Sequence, residues 1–354
     1  MLSVIKTLCS VLLLLILSTL FIKQANAQIF SNEFGVVDYV DNYDGIDDEY
    51  KDNNFYIIYH DSLDRSPKII TDSTIVCPNA TPGASGTIND VIYTKIDQKD
   101  DLAIHGGDVS ADQACTSGVS NMESWFEDAT SFDSTISHWD VSTVTSFKEM
   151  FFDATAFNQN ISAWDVSNSI NFNNMFNDAE SFNNNDQPLL WSFNTTNSIT
   201  IADMFKEASN FNADISAWDF TDVEFDGLGL TGLFYKATSF NQDISGWDVQ
   251  NVKSFNRMFE GASSFNSDIS EWIVSSASGI FAFSKMFKDA SAFDKNISEW
   301  ENNNVSEYCF VQFAIGSGIE DTDFIPSFTT DGCTNEIPTI NTNSELSLNQ
   351  GNES

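Results

Sequence analysis

The sequence predicts an α/β fold, a curved right-handed solenoid of about seven helix-turn-strand repeats with disulfide-stapled ends. Three observations predict it. Tryptophans recur at nearly constant spacing, apolar residues precede each one at three-residue steps, and cysteines flank the array in pairs.

The period comes first. Trp139, Trp164, Trp191, Trp218, Trp247, Trp272 and Trp300 are separated by 25, 27, 27, 29, 25 and 28 residues, and Trp125 replaces a methionine in the first copy. A unit of that size cannot bury its own apolar face, but stacked copies can. Phe151, Ala154 and Phe157, with Met150 adjacent, line up at helical spacing and predict a helix with one apolar face. Asn158 and its equivalents Asn183, Asn212, Asn241 and Asn266 (Asp133 and Asp294 at the ends) then predict the helix stop, because asparagine tolerates a left-handed backbone or bonds nearby amides. Trp164 and Val166 alternate with Asp165, which predicts a short strand with the indole inward. Strands stack about 4.8 Å apart and helices about 8–10 Å apart, so the stack should bend with its strands on the concave side. Copies of unequal length imply surface loops, one carrying Pro188 and another Asp226-Gly227-Leu228-Gly229-Leu230.

Two copies show the unit cleanly: Met150-Phe151 … Ala154 … Phe157-Asn158 … Ile161-Ser162-Ala163-Trp164-Asp165-Val166, and Met258-Phe259 … Ala262 … Phe265-Asn266 … Ile269-Ser270-Glu271-Trp272-Ile273-Val274. This unit resembles the repeat of BspA-like leucine-rich-repeat surface proteins, from roughly Met122 to Val305. Copy three (Trp191-Ser192-Phe193) and copy seven (Trp300-Glu301-Asn302) depart from it locally. The resemblance implies a leucine-rich-repeat-like solenoid and a surface-exposed or secreted interaction scaffold, often discussed as adhesive. It implies no catalytic residues.

The rest of the chain is read around the array. Residues 1–27 have the form of a signal peptide: Lys6, an apolar run from Leu8 to Leu20, and a small-x-small site at Ala25-Asn26-Ala27. Its removal takes away Lys6 and Lys23 and no acid, and leaves no transmembrane segment. Residues 28–118 form an N-terminal segment and cap, with a strand expected at Phe55–Tyr59, and residues 119–305 the repeats. Residues 306–333 form a C-terminal cap, and the Asn/Ser/Thr-rich residues 334–354 a disordered tail. In an exported chain Cys77, Cys115, Cys309 and Cys333 suggest disulfides, with the local pairs Cys77–Cys115 and Cys309–Cys333 the simplest of three pairings.

Charge narrows the function. Acidic residues number 52 against 15 basic ones, a net charge of −37, which argues against nucleic-acid and anionic-lipid partners. Gly227-x-Gly229-x-x-Gly232 matches a dinucleotide fingerprint only formally, since no Rossmann-sized unit surrounds it. His60, His105 and His138 lie in unrelated contexts, and His138 reads as a solvated strand residue. No cofactor or resident metal is implied; weak calcium binding at Asp41–Glu49 is the alternative to a solvated acidic turn. Asp140, Asp165, Asp219 and Asp248 follow their tryptophans and would line the concave face. They would either order their own turns or bind a cation or basic partner.

The function expected is therefore an exported, non-enzymatic scaffold, secreted or at a cell surface, that binds a protein or glycan and serves adhesion. The alternative is a self-assembling envelope or matrix protein, and a secreted hydrolase is the minor one.

Overall fold

The computed structural model describes residues 55–59, 73–278, 281–302 and 310–326. The leader, His60, the acidic turn at Asp41–Glu49, Cys309, Cys333 and the tail lie outside the described residues.

Ahead of the repeats, β1 (Tyr56–Tyr59) pairs antiparallel with β2 (Ser73–Val76), Ile57 opposite Ile75. The strand expected at Phe55–Tyr59 is β1. A second, mixed sheet joins β3 (Ser85–Ile88) antiparallel to β4 (Val91–Lys95), and β4 parallel to the two-residue β5 (Ala114–Cys115). Cys77, just after β2, is bonded to Cys115 in β5 (S–S 2.04 Å), which joins the two sheets.

The repeats correct the expected fold class. Among the described residues there is no α-helix, only 3₁₀ turns at Lys99–Asp101, Ala103–His105, Ala111–Gln113 and Asn184–Asp186, so the unit is not helix-turn-strand. The backbone shows why. Phe147, Glu149, Phe151 and Asp153 donate their amides to Asn171, Asn173, Met175 and Asn177 of the next copy, at 2.8–2.9 Å. The amides between them bond three residues back, Met150 to Phe147, Phe152 to Glu149 and Ala154 to Phe151. An α-helix needs its amides bonded four residues back along its own chain. Here half of them are committed to a neighbouring copy.

Left-handed residues enforce this pattern. Glu149 (φ 57°) and Asp153 (φ 54°) stand third in the four-residue turns 147–150 and 151–154, where a type II turn demands positive φ. The same two positions are left-handed in other copies, at Ser124 and Asp128, Asn174 and Asp178, Asp203 and Glu207, Lys285 and Asp289. A left-handed residue every fourth position forbids a helix. Gly232 (φ 60°) occupies one of these positions, and a Cβ on Gly229 would stand 2.7 Å from the Ser254 carbonyl oxygen of the next copy. The apparent nucleotide fingerprint is thus a stacking device.

The expected parallel sheet is also absent among the described residues. Trp164-Asp165-Val166 forms no strand, and parallel pairing between copies is confined to single residues, Asn121 with Ser146, Ser146 with Asn171, Asn171 with Thr200, and Ile199 with Phe225. Without helices on one side and strands on the other, the expected cause of curvature is gone.

What stacks is side chains. Phe151 and Phe157 lie face to face within one copy at 4.0 Å, and the equivalent pairs 176/182, 205/211 and 234/240 at 3.9, 3.8 and 3.8 Å. Each ring also stacks on its equivalent in the next copy, as Phe151 on Phe176 at 5.4 Å and Phe157 on Phe182 at 5.7 Å. The indoles form another column, Trp139 on Trp164 at 6.5 Å and Trp191 on Trp218 at 6.4 Å. Each indole N–H donates to a carbonyl of the preceding copy: Trp164 to Ile136, Trp191 to Ile161, Trp272 to Ile244, at 3.1–3.2 Å. Tryptophan rather than phenylalanine suits this position because it alone carries that donor.

A ladder runs beside the rings. The Asn183 amide donates to the Asn158 side-chain oxygen (2.8 Å), Asn212 to Asn183 (2.7 Å), Asn241 to Asn212 (2.8 Å) and Asn266 to Asn241 (2.7 Å). These asparagines end no helix and are not left-handed; of the two roles expected for them they take the other, bonding backbone amides, though those of the next copy rather than nearby ones. They tie one copy to the next.

Two stability outcomes follow. Trp164→Ala should lower the unfolding free energy by about 3–5 kcal/mol, the cost of truncating a buried large aromatic, measured by denaturant titration; a loss below about 1 kcal/mol would contradict the buried column. Asp128 is exposed and left-handed (φ 60°). Asp128→Val should cost about 1–2 kcal/mol, whereas Asp128→Gly should stay within about 0.5 kcal/mol of the parent; equal effects would show that φ is not what constrains this position.

Candidate interaction surface

With the rings turned inward, the chemistry is left to the columns facing out. The first holds the aspartates that follow four of the seven repeat tryptophans. Asp165, Asp219 and Asp248 each accept, through Oδ1, the backbone N–H two residues on, from Ser167 (3.1 Å), Thr221 (2.8 Å) and Gln250 (3.1 Å). Asp140 accepts from the Ser142 amide (3.2 Å) and hydroxyl (2.6 Å), and Ser117 donates to its other oxygen at 2.5 Å. The Thr221 hydroxyl and then its backbone N–H hold the Asp219 carboxyl below its ordinary value. These carboxylates order turns. Sequence reasoning missed a second such set ahead of the tryptophans: Asp214, Asp243 and Asp268 accept from Ser216, Ser245 and Ser270. The recurring Asp-Ile-Ser, with an acceptor two residues before a serine, was its signal. No group of three or more His, Cys, Asp or Glu among the described residues is arranged to hold a metal ion.

The second outward face is formed by the residues flanking each Met-Phe pair. It is mixed in chemistry and crossed by ion pairs between copies: Lys148 with Glu123 (3.7 Å), Lys236 with Glu207 (3.0 Å) and Lys288 with Glu260 (3.2 Å). Glu260 is buried, with 8% of its side chain exposed, and is also paired to Arg257 at 3.6 Å. At the centre of the C-terminal half is Tyr235, whose ring lies 5.1 Å from Lys236 Nζ, 5.9 Å from Lys206 Nζ and 5.9 Å from Arg257 Cζ. Burial raises the Asp203 carboxyl, opposed by Lys206 and Arg257. Burial, and then the like charge of Glu207, raise that of Asp178. The sequence held no signal for this face, because the residues that build it differ from copy to copy.

The structure corrects the reading of His138 as a solvated strand residue: it is 8% exposed and belongs to no strand. Its Nε2 lies 3.1 Å from the Ala114 carbonyl oxygen, its ring packs on Tyr93, and its own carbonyl accepts the Ile75 amide at 2.8 Å. It therefore sits where β2 and β5 meet the first copy. The core is continuous across this junction, from Ile96, Leu102 and Ala114 into Trp125 and Phe126.

The molecule is thus a stack of turn-built repeats with an N-terminal pair of small sheets. The family described as Mycoplasma protein of unknown function, DUF285, matches residues 104–218, 186–227 and 228–315. These segments cover more than half of the chain, which belongs to that family. No curated protein and no solved structure matches it. Among the described residues no helix is long and apolar enough to cross a membrane.

His138 gives the junction a pH dependence. Burial lowers its pKa from 6.5 to about 4, partly opposed by the bond to the Ala114 carbonyl and the charge of Asp112. Below pH 6.5 the unfolded chain takes up a proton that the folded one refuses. This contribution is therefore complete above pH 6.5 and is lost as the pH falls toward about 4, by about 3 kcal/mol in all. Unfolding free energies across that window should fall less steeply for His138→Gln; parallel curves would show that the ring does not titrate on unfolding.

Proposed function

We propose that the chain is an exported, surface-associated binding scaffold, non-enzymatic, whose outward columns take hold of a protein or glycan in adhesion. One observation carries this reading. The residues that recur (Phe151, Phe157, Ile161, Trp164 and their equivalents) face inward and are buried, while the position after each Met-Phe pair changes from copy to copy, reaching the surface half-buried as Phe152, Lys206, Tyr235 and Lys288 and buried as Asn177 and Glu260. A constant interior with a varied, continuous exterior is the arrangement by which repeat proteins present extended recognition surfaces. The Cys77–Cys115 disulfide and the apolar leader support an oxidising, extracellular destination. The resemblance to BspA-like surface proteins supports the adhesive role, and membership of the family matched across residues 104–315 is compatible with it.

The test is saturable binding. The purified mature chain, titrated against intact cells and an extracellular glycan panel with and without millimolar calcium, should bind at least one target with an affinity of about 1 mM or tighter. Substituting Tyr235 and Lys206 by Ala should weaken that binding without moving the thermal transition. Absence of saturable binding under every condition would count decisively against the scaffold reading.

A further inference from the structure

The face flanking the Met-Phe pairs is not charged alike along its length. In copies one to three it carries Glu123, Glu127, Asp128, Glu149, Asp153 and Asp178, against Lys148 alone. In copies four to seven it carries Lys206, Lys236, Arg257, Lys285 and Lys288, against Asp203, Glu207, Glu260 and Asp289. These residues share one face because their backbones are bonded copy to copy, Asp128 to Phe152, Asp153 to Asn177, Glu207 to Tyr235 and Lys236 to Glu260, and because ion pairs link them across copies. One half of the face is strongly acidic. The other is slightly basic, on a chain whose net charge is −37.

A face with opposite character at its two ends is complementary to itself when one copy is turned end for end. We propose that this face docks antiparallel on the same face of a second copy of the chain, the acidic half of each meeting the basic half of the other about a two-fold axis. The overall negative charge does not forbid this, since charges farther apart than about 8 Å are screened at physiological ionic strength. The groups in contact then decide the sign. Tyr235 marks the middle of the basic half, where its half-buried ring and the surrounding cations offer carboxylates an amphipathic seat.

The columns themselves supply substitutions that preserve the fold. Lys236 and Asp153 occupy the same left-handed position in different copies, as do Arg257 and Glu149. Charge can therefore be exchanged along a column with residues the backbone already accepts. Sedimentation equilibrium of the full chain should show a monomer–dimer equilibrium at about 0.05 M salt that weakens at least tenfold near 0.5 M. Lys236→Glu with Arg257→Glu should weaken self-association at least tenfold, and so should Glu149→Lys with Asp153→Lys. Mixing the two double variants should restore a dimer containing one of each.

A chain that stays monomeric at low salt overturns the proposal. So does a dimer indifferent to charge reversal, or double variants that fail to pair when mixed. Retention on a sulfated glycan without any self-association also overturns it, and assigns the basic half to a polyanion instead. Should a variant fail to fold, a carbodiimide cross-link in the parent's dimer band between peptides from 123–178 and 206–288 decides for the pairing, and its absence against it.

Discussion

Everything in the array depends on one commitment of the backbone: amides that point along the stack must find a carbonyl in the neighbouring copy. Phe147, Glu149, Phe151 and Asp153 do so in succession, and the intervening amides close turns. A buried backbone donor left unmade costs about 1–3 kcal/mol. No copy can therefore shift register without forfeiting several such bonds together. The rings and the asparagines follow from that register. Because the backbones match, Phe151 falls on Phe176 and the Asn158 side-chain oxygen meets the Asn183 amide.

The sequence showed the repeat and its unit size plainly, because buried rings must recur wherever the copies recur. Phe157, Trp164 and Val166 are buried within 3% of full coverage, and the same residues carried the period. Local conformation was not legible from them. Apolar residues at three- and four-residue steps describe a helical face, but they describe equally a run of turns that brings every third or fourth side chain inside. The discriminating signal lay in residues that looked like surface. Asp128, Asp153, Asp178 and Asp289 recur two places after the phenylalanine, and Gly261 and Gly316 share their position. Aspartate and glycine alternating in one column speak of positive φ. Glu207 and Lys236 in the same column obscured it. The candidate surface was less legible still. The Asp165 column was visible, whereas the face around Tyr235 is defined by its irregularity, and only the copy-to-copy bonds reveal that its charges are neighbours.

The asparagine ladder shows how electrostatics shaped the composition. Its interior members, Asn158, Asn183, Asn212, Asn241 and Asn266, are uncharged, and carboxylates appear only at its ends, in Asp133 and Asp294. Aspartate would accept the same amide bonds. A run of carboxylates at the repeat spacing would repel, at about 1 kcal/mol or more per neighbouring pair near a protein surface. At either end a carboxylate has a single ladder neighbour, and it is tolerated. Among the described residues the negative charge is thus kept out of the interior of the ladder that joins the copies, and sits largely where a carboxylate closes its own turn, faces water or, as Glu260 does, pairs with cations.

The same geometry accounts for where the stacking stops. Along the array the rings stay nearly parallel, 4° between Phe151 and Phe176 and 3° between Phe205 and Phe234. At the C-terminal end Phe313 meets Phe287 edge-on at 88°, and Phe310 is tilted 56° from Phe283. At the N-terminal end Trp125, in the methionine position, meets Trp139 at 75°, while Phe126 still lies within 12° of Phe151. Backbone bonds from Phe287 to Phe313 and Asp289 to Ile315 continue through this last copy. The ladder of amides therefore outlasts the ladder of rings: in the same register Phe313 stands at the methionine position and Ala314 where the phenylalanine would be, so the column ends for want of a ring within a coil whose backbone still follows the repeat.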